Sequence, residues 1–272
     1  MARPVARNIT PERASCVLAF APPSPVVFGS NVRGRPRSAV LKAAVPPSRR
    51  TLLVAVGLVC ASLALFLLIA EELLDGSTLI SHDQAALSWF VDHRTDAWVR
   101  AAKLVSTVGG FASLLVTGVV LGLWLWRRGW QVAIAPVVSL LLAGLASVVA
   151  KAAFGRVRPP IVFHEAHVTS PAFPSGHATD AAAFFLAAAF VVSLAVARHR
   201  RTQLLFIVVG MLCAGFVGLS RLVLAVHWLS DVVAGWALGT AIAITLVVAL
   251  WFSQTRHPGP NQRPPASRSI DR

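Results

Sequence analysis

Charge is scarce in this chain: 13% of its 272 residues are Asp, Glu, Lys or Arg, while 56% are hydrophobic. A soluble domain carries about 25% charged residues, so a water-soluble globule is excluded and a membrane protein is indicated. Cysteine is as sparse. Cys16, Cys60 and Cys213 are scattered, the last two inside apolar runs, which leaves neither a disulfide framework nor a metal-ligand spacing. Tyrosine is absent, so an aromatic belt at the membrane surfaces would rest on the eight tryptophans. No internal repeat or inverted duplication is visible, which removes one of the usual sequence signs of a transporter.

What the chain does have is long apolar runs. Six segments are free of Asp, Glu, Lys and Arg: Thr51 to Ala70, Leu104 to Trp126, Gly129 to Ala150, Ala181 to Ala197, Thr202 to Ser220, and Val232 to Thr255. At 1.5 Å per residue these cross, or nearly cross, a hydrocarbon core of about 30 Å; the fourth is short and is expected to begin nearer Ser175. Backbone polar groups in lipid must be satisfied within the segment, so the runs are expected to be helices. The fold class is therefore all-α, an integral membrane six-helix bundle. Glycines such as Gly109, Gly110, Gly144, Gly210 and Gly218 within the runs suit close helix packing.

The formal net charge of +14 invites a nucleic-acid reading, but the charges flank the runs instead of forming one polar face with base-reading side chains. Of the 25 Lys and Arg, 18 fall on one side of a six-span path and 7 on the other. By the positive-inside tendency both termini are cytoplasmic, in a multi-pass protein of the cell membrane. Four of the seven outer cations, Lys151, Arg156, Arg158 and Arg221, stand beside the membrane boundary against that tendency.

The first 50 residues are rich in Pro and Arg without helical period, and are expected to be a disordered cytoplasmic tail; residues 256–272 are expected to be a second. The stretch SRRTLL, Ser48 to Leu53, resembles a twin-arginine export signal. No small-residue cleavage site follows it, and its apolar run is longer than a secretory one, so an uncleaved anchor is expected. Between the first two spans, His82 to Val105 reads as a short interfacial helix or an ordinary loop, with Ala86, Phe90 and Val91 on one face and Asp83, Asp92 and His93 elsewhere.

Three polar clusters then share one address. KAAFGRVRPP places Lys151 and Arg158 at the outer end of the third span, PSGH places Ser175, Gly176 and His177 at the outer start of the fourth, and SRLVLAVHWLSD places Arg221, His227 and Asp231 at the outer junction of the fifth and sixth. Three cations at a dehydrated boundary are costly without an anion, and with few carboxylates nearby the anion is expected to be a ligand. Arginine's fork matches phosphate oxygens in pairs, and lysine adds a point charge. A helix N-terminus behind Pro-Ser-Gly offers free N–H groups to the same anion, and Gly176 lets it approach the backbone. His227 and Asp231 are four apart, hence on one helical face. A carboxylate on one ring nitrogen fixes the tautomer and leaves the other nitrogen as a nucleophile, while His177 could protonate a leaving oxygen.

Lys, six residues, Arg-Pro; Pro-Ser-Gly-His; and Ser-Arg, five residues, His, three residues, Asp: together these resemble the complete three-part signature of the type-2 phosphatidic acid phosphatase superfamily, which includes lipid phosphate phosphatases and undecaprenyl pyrophosphate phosphatases. The motifs span Lys151 to Asp231, and the span layout extends the likeness over about 51–255. The resemblance implies that His227 forms a phosphohistidine with Asp231 as its partner, and that His177 releases the alcohol. It further implies that Lys151, Arg158, Ser175, Gly176 and Arg221 cradle the phosphate, and that no metal or other cofactor takes part. The substrate would be a membrane lipid carrying a terminal phosphate or pyrophosphate, met at the extracytoplasmic face; nucleic acid is not an expected partner. A phosphotransferase handing the phosphoryl group to another acceptor shares this pattern, and a lipid transporter or flippase is the reading from another class.

Two features lie outside the signature. HEAH, His164 to His167, has two histidines in a Pro-flanked loop with no third ligand and reads as a headgroup- or solvent-facing loop. Asp180, one turn after His177, reads either as a functional intramembrane acid or as a complement to the helix dipole.

Overall fold

The computed structural model describes residues 48–256 apart from 76–77 and 198. Its described residues form eight helices: α1 (Arg49–Asp75), α2 (Thr78–His93), α3 (Asp96–Val108), α4 (Phe111–Leu125), α5 (Trp130–Phe154), α6 (Gly176–Val196), α7 (Arg200–Val223) and α8 (Leu229–Arg256). The expected tails lie almost wholly outside the described residues. Five helices, α1, α5, α6, α7 and α8, are long and apolar enough to cross a membrane. The second apolar run is not one helix: α3 and α4 meet at a 51° bend.

The bend falls at a pair of glycines, one of them crowded by α7. Gly109 ends α3 and Gly110 caps α4 in an extended conformation, φ −75°, ψ 156°. A Cβ on Gly109 would lie 2.3 Å from a Val217 methyl carbon of α7, and one on Gly110 would lie 3.7 Å from His177 Nε2. The pair therefore interrupts the run where α7 crowds Gly109 and the first turn of α6 comes within contact distance of Gly110.

Helix α6 is the centre of the molecule, packed against α5, α7 and α8, with α1 outside α8 and α3 along α7. Its buried face is largely alanine: Ala178, Ala181, Ala182, Ala183, Ala187 and Ala189. Lipid tails are as apolar as leucine, so burying large side chains gains little here, and close approach of small residues provides the dispersion contacts that hold helices together. The stretch between α1 and α3 is helical rather than a loop. On α2, Asp83 is 2% exposed, contrary to its expected place away from the face of Phe90, and Phe90 packs against the cluster of Ala178, Leu222 and Val232. Trp89 and Trp98 stay exposed, in keeping with an interfacial position.

Candidate active site

Helix α5 ends where its chemistry begins. Gly155 adopts the left-handed conformation, φ 55°, and its N–H closes the helix on the Lys151 carbonyl, leaving Lys151 in the last turn, where a cation complements the carbonyl end of the dipole. The chain then loops outward and returns. The Ala172 N–H bonds the Arg156 carbonyl at 2.8 Å, and Phe173 is fully buried between the rings of Phe66 and Phe154. The loop's backbone carbonyls hold the cations: Lys151 Nζ donates to Pro171, and Arg158 Nε donates to Ser170 at 2.7 Å.

Ser175 caps α6 with its backbone only; its N–H donates to the Asp231 carbonyl at 3.0 Å, and its buried Oγ has no partner. A Cβ on Gly176 would find nothing closer than Lys151 Cε at 3.9 Å. Bare backbone N–H groups, a free hydroxyl and an ammonium-bearing chain thus converge at the first turn of α6, an arrangement suited to an oxyanion. His177, next in the turn, is half-buried, hydrogen-bonds the Ser106 backbone, and lies within electrostatic reach of Arg221, His227 and Arg158.

The third cluster is built by a turn. Leu224 and Ala225 close on Ser220 and Leu222, and Ala225 takes a left-handed φ of 53° although it carries a Cβ, a conformation costing about 1–2 kcal/mol per residue. The turn carries His227 back beside Arg221, and both are 3% exposed. Arg221 donates to Ser106 Oγ, while its Nε is buried without a partner. Asp231, wholly buried in the first turn of α8, accepts the Trp228 N–H on Oδ2 at 2.9 Å; a first-turn acid bonding back to the N-cap amide is a capping-box contact, favoured by the positive end of the helix dipole.

Around His227 the hydrogen bonds settle the tautomer. Arg158 reaches Nε2 at 3.1 Å and, having no acceptor, must donate, so Nε2 carries the lone pair. The proton then lies on Nδ1, facing Asp231 Oδ2 at 3.4 Å, a long contact of the kind that tightens when a substrate is bound. Burial, reinforced by Arg158 and Arg221 and opposed by Asp231, pulls the His227 pKa down to about 4, so the ring is neutral at pH 7 and its Nε2 is a free base.

All the residues singled out in the sequence, Lys151, Arg158, Ser175, Gly176, His177, Arg221, His227 and Asp231, come to one end of the bundle. Four others stand there, Arg156, Asp83, Ser106 and Ser230, to which the sequence reading gave no role in the site. Arg156 donates to Asp231 Oδ1, to Ser230 Oγ at 2.8 Å and to Asp83 Oδ2 at 2.6 Å. Ser106 bridges His177 and Arg221. Arg156 had shown one signal, a cation on the wrong side of the charge rule; Asp83, Ser106 and Ser230 showed none. The HEAH loop is held to the protein: His164 Nε2 hydrogen-bonds the Pro159 carbonyl at 2.9 Å, and Glu165 meets Lys103 at 3.2 Å and Arg94 at 3.6 Å. Asp180 is buried in α6 with Oδ1 unpartnered.

Comparisons with known proteins find relatives of this chain. A family model described as the PAP2 superfamily matches residues 132–255. Phosphatidylglycerophosphatase B of Bacillus subtilis is 31% identical over 188 residues, 65% of this chain and 88% of that protein. A lipid A 1-phosphatase of Rhizobium etli is 34% identical over 111 residues, covering 37% of this chain and 43% of its own length. An undecaprenyl-diphosphatase of Sulfolobus acidocaldarius is 29% identical over 130 residues, 46% of this chain and 58% of that one. The crystal structure of a transmembrane PAP2-type phosphatidylglycerolphosphate phosphatase from Bacillus subtilis superposes with a TM-score of 0.64 at 24% identity, covering 71% of this chain and 96% of that one.

Proposed function

From the premise that this chain belongs to the PAP2 superfamily and is a membrane lipid phosphatase, we propose that it removes a terminal phosphate or pyrophosphate phosphoryl group from a lipid in two steps through His227. The observation that carries the reading is the pair of contacts on one ring: a guanidinium donating to Nε2 and a carboxylate facing Nδ1.

The steps follow from that geometry. A lipid phosphate enters the recess of Lys151, Arg158 and Arg221, with the first N–H groups of α6 and the Ser175 hydroxyl at its other oxygens. Arg158 transfers its N–H from Nε2 to a phosphate oxygen, uncovering the lone pair. Nε2 bonds to phosphorus as the bond from phosphorus to the lipid oxygen breaks, and His177, which takes up a second proton when the phosphate's negative charge is bound beside it, gives that proton to the leaving oxygen. The ring, now bonded at Nε2 and protonated at Nδ1, is cationic, and Asp231 stabilises it. Water then attacks phosphorus, His177 takes the water's proton, the P–N bond breaks and inorganic phosphate leaves. The cations and amides hold charge on the equatorial oxygens throughout, where most of the catalytic effect in phosphoryl transfer arises.

The topology belongs to the same proposal. With the bent pair α3–α4 counted as one span, the bundle has six, the catalytic domain is residues 51–255, both termini are cytoplasmic, and the site opens at the extracytoplasmic face. Its partners are the bilayer and the lipid substrate. The test is phosphate release by the purified protein in detergent against phosphatidic acid, phosphatidylglycerol phosphate and undecaprenyl pyrophosphate, with acid-labile, base-stable labelling of the protein as the sign of a phosphohistidine. Release by His227→Ala at the native rate would overturn the assignment.

A further inference from the structure

Asp231 carries two jobs on two oxygens. Its Oδ2 faces His227 Nδ1 at 3.4 Å and accepts the Trp228 N–H at 2.9 Å, while its Oδ1 accepts from one terminal nitrogen, Nη1, of Arg156. An arginine beside a buried carboxylate ordinarily forms a two-pronged pair, one nitrogen to each oxygen. Such a pair would draw Oδ2 away from the imidazole. It does not form here because the second nitrogen is taken. Arg156 Nη2 donates to Asp83 Oδ2 at 2.6 Å, and Asp83 is itself fixed by the Ser230 N–H on Oδ1 at 2.9 Å and the Ser230 hydroxyl on Oδ2 at 2.6 Å.

We propose that Asp83, on the interfacial helix α2, is a positioning residue for the nucleophile: by holding one prong of Arg156 it confines that guanidinium to Asp231 Oδ1 and keeps Oδ2 for His227. The proposal rests on the reading of His227 as nucleophile. Three further features support it. Asp83 is 2% exposed, and a buried carboxylate on a helix at the membrane surface is costly unless it is paired. The Arg156 guanidinium also lies over the Trp228 ring, 5.7 Å from its centroid, which limits its freedom to swing toward Oδ2. Two carboxylates sharing one guanidinium leave a negative charge beside the ring, which favours the cation formed when Nε2 accepts the phosphoryl group. Because Phe90 of the same helix packs on Ala178, Leu222 and Val232, the seating of α2 fixes Asp83 relative to α6, α7 and α8.

The test uses the full chain in detergent with phosphatidic acid as substrate. Asp83→Asn keeps the shape and removes the charge that holds the second prong. It should lower kcat by about 10–100-fold, the range found for groups that orient active-site ligands, with KM within about twofold of the native value and slower formation of the phosphoenzyme in rapid quench. In an Asp231→Asn background the same change should add no further loss, since residues acting through one another are not additive. Asp83→Glu should restore part of kcat. An unchanged kcat, a change in KM alone, or losses that multiply with Asp231→Asn would overturn the proposal. If Asp83→Asn does not give a monodisperse protein, Ser230→Ala removes only the hydroxyl between Arg156 and Asp83; a kcat loss absent in the Asp231→Asn background supports the proposal, and a multiplying loss, or none, overturns it. His227→Ala runs alongside. Native turnover there would remove the nucleophile assignment itself, whereas a dead His227→Ala with a fully active Asp83→Asn would remove only the role of Asp83.

Discussion

Helices α1 and α6 are both long apolar spans, yet they sit at opposite extremes of the molecule. The most apolar stretch of α1 has a mean hydropathy of 3.0 and is 6% buried; that of α6 has 2.0 and is 61% buried. The more apolar helix is the one that faces lipid. In water that ordering would be inverted, because apolar surface is driven inward; in a bilayer large aliphatic side chains are at home outside, and the interior is filled by small residues and by the polar groups that do chemistry. The N-terminus of α6 carries Ser175, Gly176 and His177, whereas α1 presents Leu53, Val54, Leu67 and Leu68 outward. Function should therefore be sensitive at the polar pole around α6 and tolerant along α1.

The comparison breaks most sharply at the pole. His227→Ala should lower kcat by about 10⁴-fold or more, the scale of losing a nucleophile, as read by phosphate release, and should leave the elution volume unchanged. A comparable loss from any single change on the lipid face of α1 would undo the contrast. Arg158→Lys comes next. Lysine keeps the charge but cannot serve both the loop at Ser170 and a phosphate oxygen, so kcat/KM should fall by about 10²–10³-fold, the loss seen when one donor to a developing charge is removed.

The contrast between the two helices was partly legible in the sequence. Hydropathy is a property of a short window, so all six runs were visible; the pairing of His227 with Asp231 was visible only as a spacing, since His227 lies in the turn before α8 and not on a helical face with Asp231, and the cap contact of Asp231 with Trp228 is what brings the carboxylate beside the ring. The bend at Gly109 and Gly110 was not visible, because it depends on Val217 of α7 pressing against Gly109, a contact over 100 residues away. Asp83 was misplaced for a similar reason. On a helix it shares a face with Phe90, seven residues on, but a buried acid is plausible only when its partners are known, and Arg156 and Ser230 are supplied from 73 and 147 residues away. Ser106 shows the same limit. Its link to Arg221 joins α3 to α7, and a lone serine in an apolar run carries no sign of it. Local pattern found the chemistry, and long-range pairing hid the residues that aim it.

Within α6 itself the contact with α8 can be tested apart from catalysis. A Cβ on Gly239 would lie 2.3 Å from the Thr179 carbonyl oxygen and 2.9 Å from Ala182 Cβ, so Gly239→Leu must push α8 away from the helix that carries His177. We expect an overpacking cost of about 1–3 kcal/mol or more, seen as a lower Tm in detergent. Activity should fall in step with the folded fraction; a native Tm would show that the α6–α8 seam is looser than its distances indicate.

The pH profile sharpens the pole further. Burial holds the His227 pKa at about 4, below the ordinary value of about 6.5. A depressed pKa means that the neutral, nucleophilic form is present above pH 4 and is lost as pH falls through that value. Between pH 7 and pH 5 the share of free base should change by less than about twofold, whereas an ordinary histidine would lose about 25-fold. The measurement is kcat/KM, which reports the free enzyme, corrected for the substrate's own ionisation near pH 6. An acid limb near 6.5 would place His227 in water. The same shift makes stability fall as pH drops from about 6.5 to about 4, because only the unfolded chain takes up the proton in that window.

The smallest effect belongs to α1, and it is the control that gives the others meaning. Leu67 is 62% exposed on the lipid face, where its side chain exchanges protein contacts for none and lipid contacts for lipid contacts. Leu67→Ala should therefore change Tm by no more than the scatter of ordinary surface substitutions, about 0.5 kcal/mol, and leave kcat/KM unchanged. The reverse exchange, Ala187→Leu at a fully buried position of α6, adds the same atoms where no space exists and should cost about 1–3 kcal/mol. The two substitutions exchange the same pair of side chains in two apolar helices, one lipid-facing and one buried, so burial is the difference they read. Equal effects would mean that α1 is covered in the membrane, by a second copy or another protein. An effect at Ala187 alone would establish that α6, the less apolar of the two helices, is the one that organises the bundle and presents its chemistry.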